Sequence, residues 1–241
     1  MASIKDEKGF NQSFKKTYAQ EIRIKRRFDY MINQMDLIGK NPEEINVLEI
    51  GCADGMGLKY LANKTKVKAL GIDISNLFIN EARKDSKNNL SFEVVDFNNP
   101  NTFVGEMEYS KFDYIIGNGI LHHLYYNLDD SLVNLKKLLK DGGKIIFIEP
   151  NLYNPYIFLI FKFSNFRKIA NLEPDEMAFT DAFILDKLNN LGFKNSKTEI
   201  RDFLLPNTPF FLIKPIIYFG NILEKTVFKN IAQSIFIVAE K

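Results

Sequence analysis

The chain has no tryptophan, one cysteine and two histidines. A lone thiol, Cys52, cannot close an internal disulfide. Three Cys and His side chains are also too few for a structural zinc site built from such ligands. Charge of one sign is lacking: 32 Lys and Arg against 30 Asp and Glu leave +2, so nothing favours bulk attraction to nucleic acid. Long apolar runs are missing too. The stretch 156–161 stops at Lys162, and 209–220 is cut by Lys214 and Pro215, whereas a spanning helix takes roughly 20 residues. The first 20 residues contain no apolar signal core, so a cytoplasmic protein is expected, with peripheral membrane contact and a homodimer left open. What the chain does hold in quantity is Phe and Tyr, 22 and 10 of its 241 residues. Fourteen of these rings fall between Tyr153 and Phe219, so they are concentrated in the C-terminal half.

A composition of 46% hydrophobic and 26% charged residues suits a globular fold. Residues 10–38 carry an apolar stripe through Ile22, Phe28, Met31, Ile32, Met35 and Ile38, with a basic opposite face, which predicts helix in two pieces. Strand-like runs follow at 45–50, 67–72, 90–95, 112–116 and 144–148. Between them lie helical segments at 57–64, 75–85 and 128–139, the last with Asp129 or Asp130 near its cap. Strand and helix in alternation predict a mainly parallel sheet covered on both faces. Beyond Pro150 the pattern loosens. A helix is expected over 176–191, a strand over 194–201, a helix from about 215 to 228 because Pro206, Pro209 and Pro215 oppose an earlier start, and a last strand over 234–239. No internal repeat or Gly/Ser linker divides the chain, so one domain over 1–241 is expected.

The segment Val47-Leu-Glu-Ile-Gly-Cys-Ala-Asp-Gly-Met-Gly57 runs a strand straight into glycines 51, 55 and 57 and then a helix. Glycine permits positive φ and close approach of a ligand, and a helix N-terminus offers unpaired N–H groups. Asp73 ends the second strand and Asp96 the third. A carboxylate there can accept two ribose hydroxyls. The spacing GxxxGxG is neither the GxGxxG of a dinucleotide fold nor the GxxxxGK[ST] of a P-loop.

This constellation resembles the class I S-adenosylmethionine-dependent methyltransferases. The glycine turn is similar to their E/D-x-G-x-G-x-G motif, with Ala53 in place of the middle glycine. Segments 71–75, 94–97, 112–124 (with Leu-His-His-Leu) and 138–151 resemble their later motifs. The resemblance implies a Rossmann-like seven-stranded α/β sheet, mostly parallel with an antiparallel C-terminal strand, and S-adenosyl-L-methionine as cofactor. It also implies roles. Glu49 orients the amino-acid end of the cofactor, while Gly51, Ala53 and Gly55 pass against its methionine part. Asp73 takes the ribose and Ile74 packs on adenine. Asp96, with the Phe97 backbone, meets the adenine amino group, and the Asn118 and Gly119 carbonyls meet the ammonium. Residues 1–40 form a helical lid whose Tyr18 and Arg23 approach the cofactor carboxylate, with a solvated basic face as the plain alternative.

A sulfonium methyl is already activated, so the protein must align the acceptor and take its proton. His122 and His123 follow the fourth strand, where open parallel sheets place ligands, and an imidazole suits base chemistry. Glu149 ends the fifth strand and is placed to bind an amine, orient a histidine or act as base. Two histidines without carboxylates cannot make a three-ligand metal site, so no metal is expected. The insertions 152–175 and 203–230 are expected to wall the acceptor pocket, form an interface or lie on a membrane. The function implied is methyl transfer to a small-molecule acceptor, slightly favouring a hydroxyl of a sugar, secondary metabolite or lipid-linked intermediate. A cofactor-binding protein without turnover and a nicotinamide-dependent oxidoreductase are the alternatives.

Overall fold

A computed structural model describes residues 17–84, 86–99 and 109–241. Its strands are β1 (Asn46–Ile50), β2 (Lys68–Asp73), β3 (Leu90–Val94), β4 (Phe112–Asn118), β5 (Leu139–Pro150), β6 (Lys194–Arg201) and β7 (Ser234–Glu240). They form one sheet in the order β3-β2-β1-β4-β5-β7-β6. All neighbours run parallel except β7, which is antiparallel to both β5 and β6. This is the Rossmann-like methyltransferase arrangement expected from the motifs.

Side chains alternate across a strand, and here both faces are apolar. Leu48, Ile50, Ile115, Ile145, Phe147, Ile235 and Ile237 point to one core. Their neighbours Val47, Tyr114, Ile116, Ile146, Ile148, Phe236 and Val238 point to the other. The first core is closed by helix α4 (Leu128–Leu138), through Leu128, Leu132, Leu135 and Leu138, and by Ile184 and Leu188 of helix α7 (Asp181–Asn190). The second is closed by helices α1 (Tyr18–Gln34), α2 (Met56–Thr65) and α3 (Asn76–Arg83), through residues such as Phe28, Met31, Leu58, Leu61 and Ile79. Truncating a ring as buried as Phe28 typically costs about 3–5 kcal/mol. Strand order reverses at β1 and β4, whose ends Ile50 and Gly117 are paired. Chain leaving these two strands turns to opposite faces and opens a crevice there.

Several elements differ from expectation. Helix α1 begins at Tyr18, where Thr17 Oγ1 accepts from Gln20 N; residues 10–16 of the expected helix lie outside the described residues. Helix α4 is preceded by Asn127 without a side-chain cap; Asp129 and Asp130 sit in its first turn, where the helix dipole favours them. The expected helix 176–191 begins only at Asp181, capped by Thr180, because Phe179 instead bridges to Asn151. The ill-defined segment after Pro150 forms two short helices, α5 (Pro155–Lys162) and α6 (Ser164–Ile169). Asn154 starts the first of them by accepting from the N–H groups of Tyr156 and Ile157. The helix expected over 215–228 is instead α8 (Phe210–Leu223), with Pro209 before its first turn and Pro215 inside it. Pro215 removes one internal hydrogen bond, and the residues whose bond it breaks, Phe211 and Pro215, are both exposed. Thr226 then starts a short 3-10 turn, Val227–Ile231.

Candidate active site

A cavity of about 350 Å³ sits at the β1/β4 crevice. One end is built by the turns after β1, β2 and β3. Gly51 has φ +67°, Ala53 φ +46° and Gly55 φ +74°. The Ala53 N–H donates to Asp73 Oδ2 at 2.9 Å, and the Ser75 N–H donates to Asp73 Oδ1 at 2.9 Å, so one carboxylate clamps both turns. Asp96 Oδ1 accepts from the Asn98 N–H at 3.0 Å. Ile74, 36% exposed, and buried Phe97 add apolar wall. Glu49 is buried, and its Oε2 has no hydrogen-bond partner. Burial, reinforced by Asp73 and Asp54, pushes its carboxyl well above the usual range.

Helix α1 borders this end through Arg23, Arg27 and Phe28. Arg23 and Arg27 lie one turn apart on α1. Arg23 Nε donates to Asp202 Oδ2 at 3.1 Å, and Arg27 Nε donates to the same oxygen at 3.2 Å. Arg27 also donates to Asn118 Oδ1 at 2.8 Å and to Ser234 Oγ. Burial pulls both guanidinium groups below their usual value. Burial works against ionisation of Asp202, but Arg27 and Arg23 outweigh it and hold the carboxyl below its usual value. Gly119, at φ +77°, donates its N–H to the Ile148 carbonyl at 2.8 Å.

The same cavity carries the histidines. Both lie on a 3-10 segment, Leu121–Asn127, directly after β4. Glu149 Oε2 lies 2.8 Å from His122 Nδ1, and its Oε1 accepts from the N–H groups of Ile120 and Leu121 at 2.9 and 2.8 Å. A carboxylate so placed assigns the ring proton to Nδ1, leaving Nε2 as the acceptor nitrogen. That nitrogen lies 3.9 Å from Glu176 Oε2, and His123 Nδ1 lies 3.4 Å from Glu176 Oε1. Burial and the adjacent His122 push His123 well below the usual histidine value. Burial raises Glu176. Arg167 holds the loop bearing Glu176 through the carbonyls of Glu173, Pro174 and Glu176.

Thus Arg23, Glu49, Gly51, Ala53, Asp73, Ile74, Asp96, Phe97, Asn118, Gly119, His122 and His123 all border one cavity. Three expected residues do not. Tyr18 is 53% exposed and turns to Phe210, with ring centroids 5.3 Å apart. Gly55 starts α2, and a Cβ there would fall 2.6 Å from the Phe92 ring, so packing accounts for this glycine. Glu149 lies behind His122 rather than on the cavity. The insertions divide as well. Segment 152–175 supplies Ile157, Ala170 and Leu172 to the wall, while none of 203–230 reaches it. Instead Leu204 and Ile213 pack against Ala19 of α1.

Four residues were missed. Arg27 carried a weak signal, standing four residues after Arg23. Glu176 and Asp202 carried none, because the histidines and arginines they meet are distant in sequence, and Arg167 carried none because it bonds backbone carbonyls of a nearby loop. Glu176 also alters the argument against a metal. Among the described residues, His122, His123 and Glu176 bring one donor atom each within 4.8 Å, so the carboxylate that two histidines lacked is present.

Residues 48–145 match the family described as "Methyltransferase domain". With the sheet order and the glycine turn, this match makes the chain similar to the class I S-adenosylmethionine-dependent methyltransferases. Among particular relatives, the malonyl-[acyl-carrier protein] O-methyltransferase 2 of Ilyobacter polytropus is 30% identical over 149 residues, 59% of this chain and 54% of that protein. A hybrid PKS-NRPS synthetase of Trichoderma harzianum is 30% identical over 143 residues, 55% of this chain and 3% of the synthetase. The chain therefore spans about half of the first relative and a small part of the second. A SAM-dependent methyltransferase of Archaeoglobus fulgidus shares the fold, with TM-score 0.64 and 18% identity over 92% of this chain and 94% of that one.

Proposed function

We propose that this protein transfers a methyl group from S-adenosyl-L-methionine to a small-molecule acceptor, with a hydroxyl as the acceptor atom and His122 as the base. The observation that carries the reading is one cavity whose first end is bordered by Asp73 and Asp96 and whose wall also carries His122, His123 and Glu176. The first end fits the cofactor. Gly51 and Gly119 hold positive φ where backbone must come close to a ligand. Glu49 Oε2 is a buried acceptor with no protein donor, and a ligand N–H would satisfy it. Asp73 would hold the ribose and Asp96 the adenine amino group, with Ile74 against the ring.

The cofactor supplies a methyl group already activated on sulfonium sulfur. The chain then has to orient the acceptor and remove its proton. His122 Nε2 accepts that proton, and Glu149 stabilises the resulting imidazolium through Nδ1. His123 and Glu176 bind the acceptor's polar groups beside it. Glu149 is thus a positioning residue rather than the base. No metal takes part in this scheme.

Calorimetric titration with S-adenosylmethionine, S-adenosylhomocysteine and NAD tests the first half, and binding of both sulfur nucleosides but not NAD is expected. Labelled-methyl transfer to phenols, sugar nucleotides and lipid extracts tests the second. Absence of nucleoside binding would sink the proposal. Binding without transfer to any acceptor would favour the non-catalytic alternative.

A further inference from the structure

We propose that the two aromatic insertions form a surface that docks on an anionic phospholipid bilayer. These insertions were expected to wall the acceptor pocket, form an interface or lie on a membrane. Most of their rings face outward: Tyr156 (56%) and Phe163 (50%) on the first insertion, and Phe210 (73%), Phe211 (73%), Tyr218 (65%) and Phe219 (61%) on the second are exposed. Exposed single apolar residues are ordinary, but a cluster of this size marks an interaction surface.

The insertions are joined. Asn154 Nδ2 donates to the Ile231 carbonyl at 2.6 Å, and Asn151 Nδ2 donates to the Asn230 and Ala232 carbonyls at 3.0 and 2.8 Å. The start of α5 is therefore tied to the turn that follows α8. Helix α8 uses Ile213 and Gly220 inward and leaves the rest of its apolar side chains partly or fully exposed.

Charge selects the occupant. Residues 152–175 contain Glu173 and Asp175, both at the C-terminal end of the segment, and 203–231 contain only Glu224. Glu224 is turned inward, accepting from Arg201 Nε at 3.0 Å and from the Asp202 N–H at 2.9 Å. Lys162, Lys168, Lys214, Lys225 and Lys229 are all exposed, Lys225 and Lys229 beside a second cavity that Glu199 and Glu224 also border. Aromatic and aliphatic side chains interleaved with lysines that outnumber the acids match the interface of a bilayer with anionic headgroups. A second copy of the same face would bring like charges together. No helix among the described residues is long and apolar enough to cross a membrane, so the contact is peripheral. Segment 152–175 also lines the cavity through Ile157 and Ala170, which sets the bilayer contact next to the proposed acceptor end.

The test is co-sedimentation of the full chain with vesicles of phosphatidylcholine alone or with phosphatidylglycerol, at low and high salt. Strong partitioning to the anionic vesicles, weakened by salt, is expected. The double variant Phe211→Glu/Phe219→Glu should reduce partitioning at least tenfold, and Lys214→Gln/Lys225→Gln/Lys229→Gln should flatten the salt dependence. Each variant is checked for wild-type circular dichroism and S-adenosylhomocysteine affinity, so misfolding is separated from lost docking. If a variant misfolds, tyrosine and phenylalanine burial is read on the wild-type chain by quenching from brominated lipids. The proposal is overturned if the wild-type chain stays in the supernatant with anionic vesicles. It is equally overturned if the aromatic variant sediments undiminished, or if ultracentrifugation shows a dimer that alone accounts for the face.

Discussion

Glu149 and His122 form a buried pair in which one carboxylate fixes a ring and the turn that carries it: Oε2 lies 2.8 Å from Nδ1 while Oε1 accepts from the Ile120 and Leu121 N–H groups. His122→Ala should lower methyl transfer by about 10²–10⁴-fold, the range for general-base loss, with S-adenosylhomocysteine affinity kept. Glu149→Gln keeps the shape but not the charge, so it should lower the transfer rate more than acceptor binding. Full activity of His122→Ala in labelled-methyl assays would remove His122 as the base.

Asp202 secures helix α1 by holding both Arg23 and Arg27. Asp202→Asn leaves two buried guanidinium groups without their counter-charge, a change worth about 3–5 kcal/mol. Thermal unfolding should shift down sharply, and S-adenosylhomocysteine should bind more weakly because α1 borders its proposed site. The pH dependence has a definite sign. The folded carboxyl lies below its unfolded value, so its stabilisation is present above that unfolded value and disappears as pH falls through the folded one. The acid limb of a stability–pH curve should therefore flatten in the variant.

Glu176→Gln separates function from stability. Burial raises the Glu176 carboxyl, so the folded chain holds that proton more tightly than the unfolded chain. Its contribution is favourable below the usual carboxylate value and is lost as pH rises through the raised one. At pH 7.5 the variant should melt higher, on the order of 2–4 °C for roughly 1 kcal/mol, while acceptor KM rises. The gain should vanish toward pH 4. Transfer by the wild-type chain should persist in EDTA; loss on chelation with recovery on adding a divalent ion would make His122, His123 and Glu176 ligands instead.

Two positions of the glycine turn should respond oppositely. A Cβ at Gly57 would fall 2.1 Å from Phe28 Cζ on α1, so Gly57→Ala should destabilise by roughly 1–3 kcal/mol and weaken nucleoside binding. Ala53 has φ +46°, a region that costs a non-glycine residue about 1–2 kcal/mol. Ala53→Gly should be neutral to stabilising in chemical denaturation, with cofactor affinity unchanged.

The alternating strands and helices, the glycine turn, Asp73, Asp96 and the histidine pair were legible in the sequence because each depends on near neighbours. Strand alternation and turn chemistry are local, and an ordered set of strand ends meets at one crevice whenever the sheet is parallel. Tertiary structure alone decided the rest. Glu176 reaches His122 from 54 residues on in the chain, and Asp202 reaches Arg27 from 175 residues away. No periodicity records such pairings, since they depend on how loops pack after the sheet has formed. The same holds for the aromatic excess. Composition placed the rings in 153–219, but only packing against α1 and β7 decided which were buried and which were left facing outward.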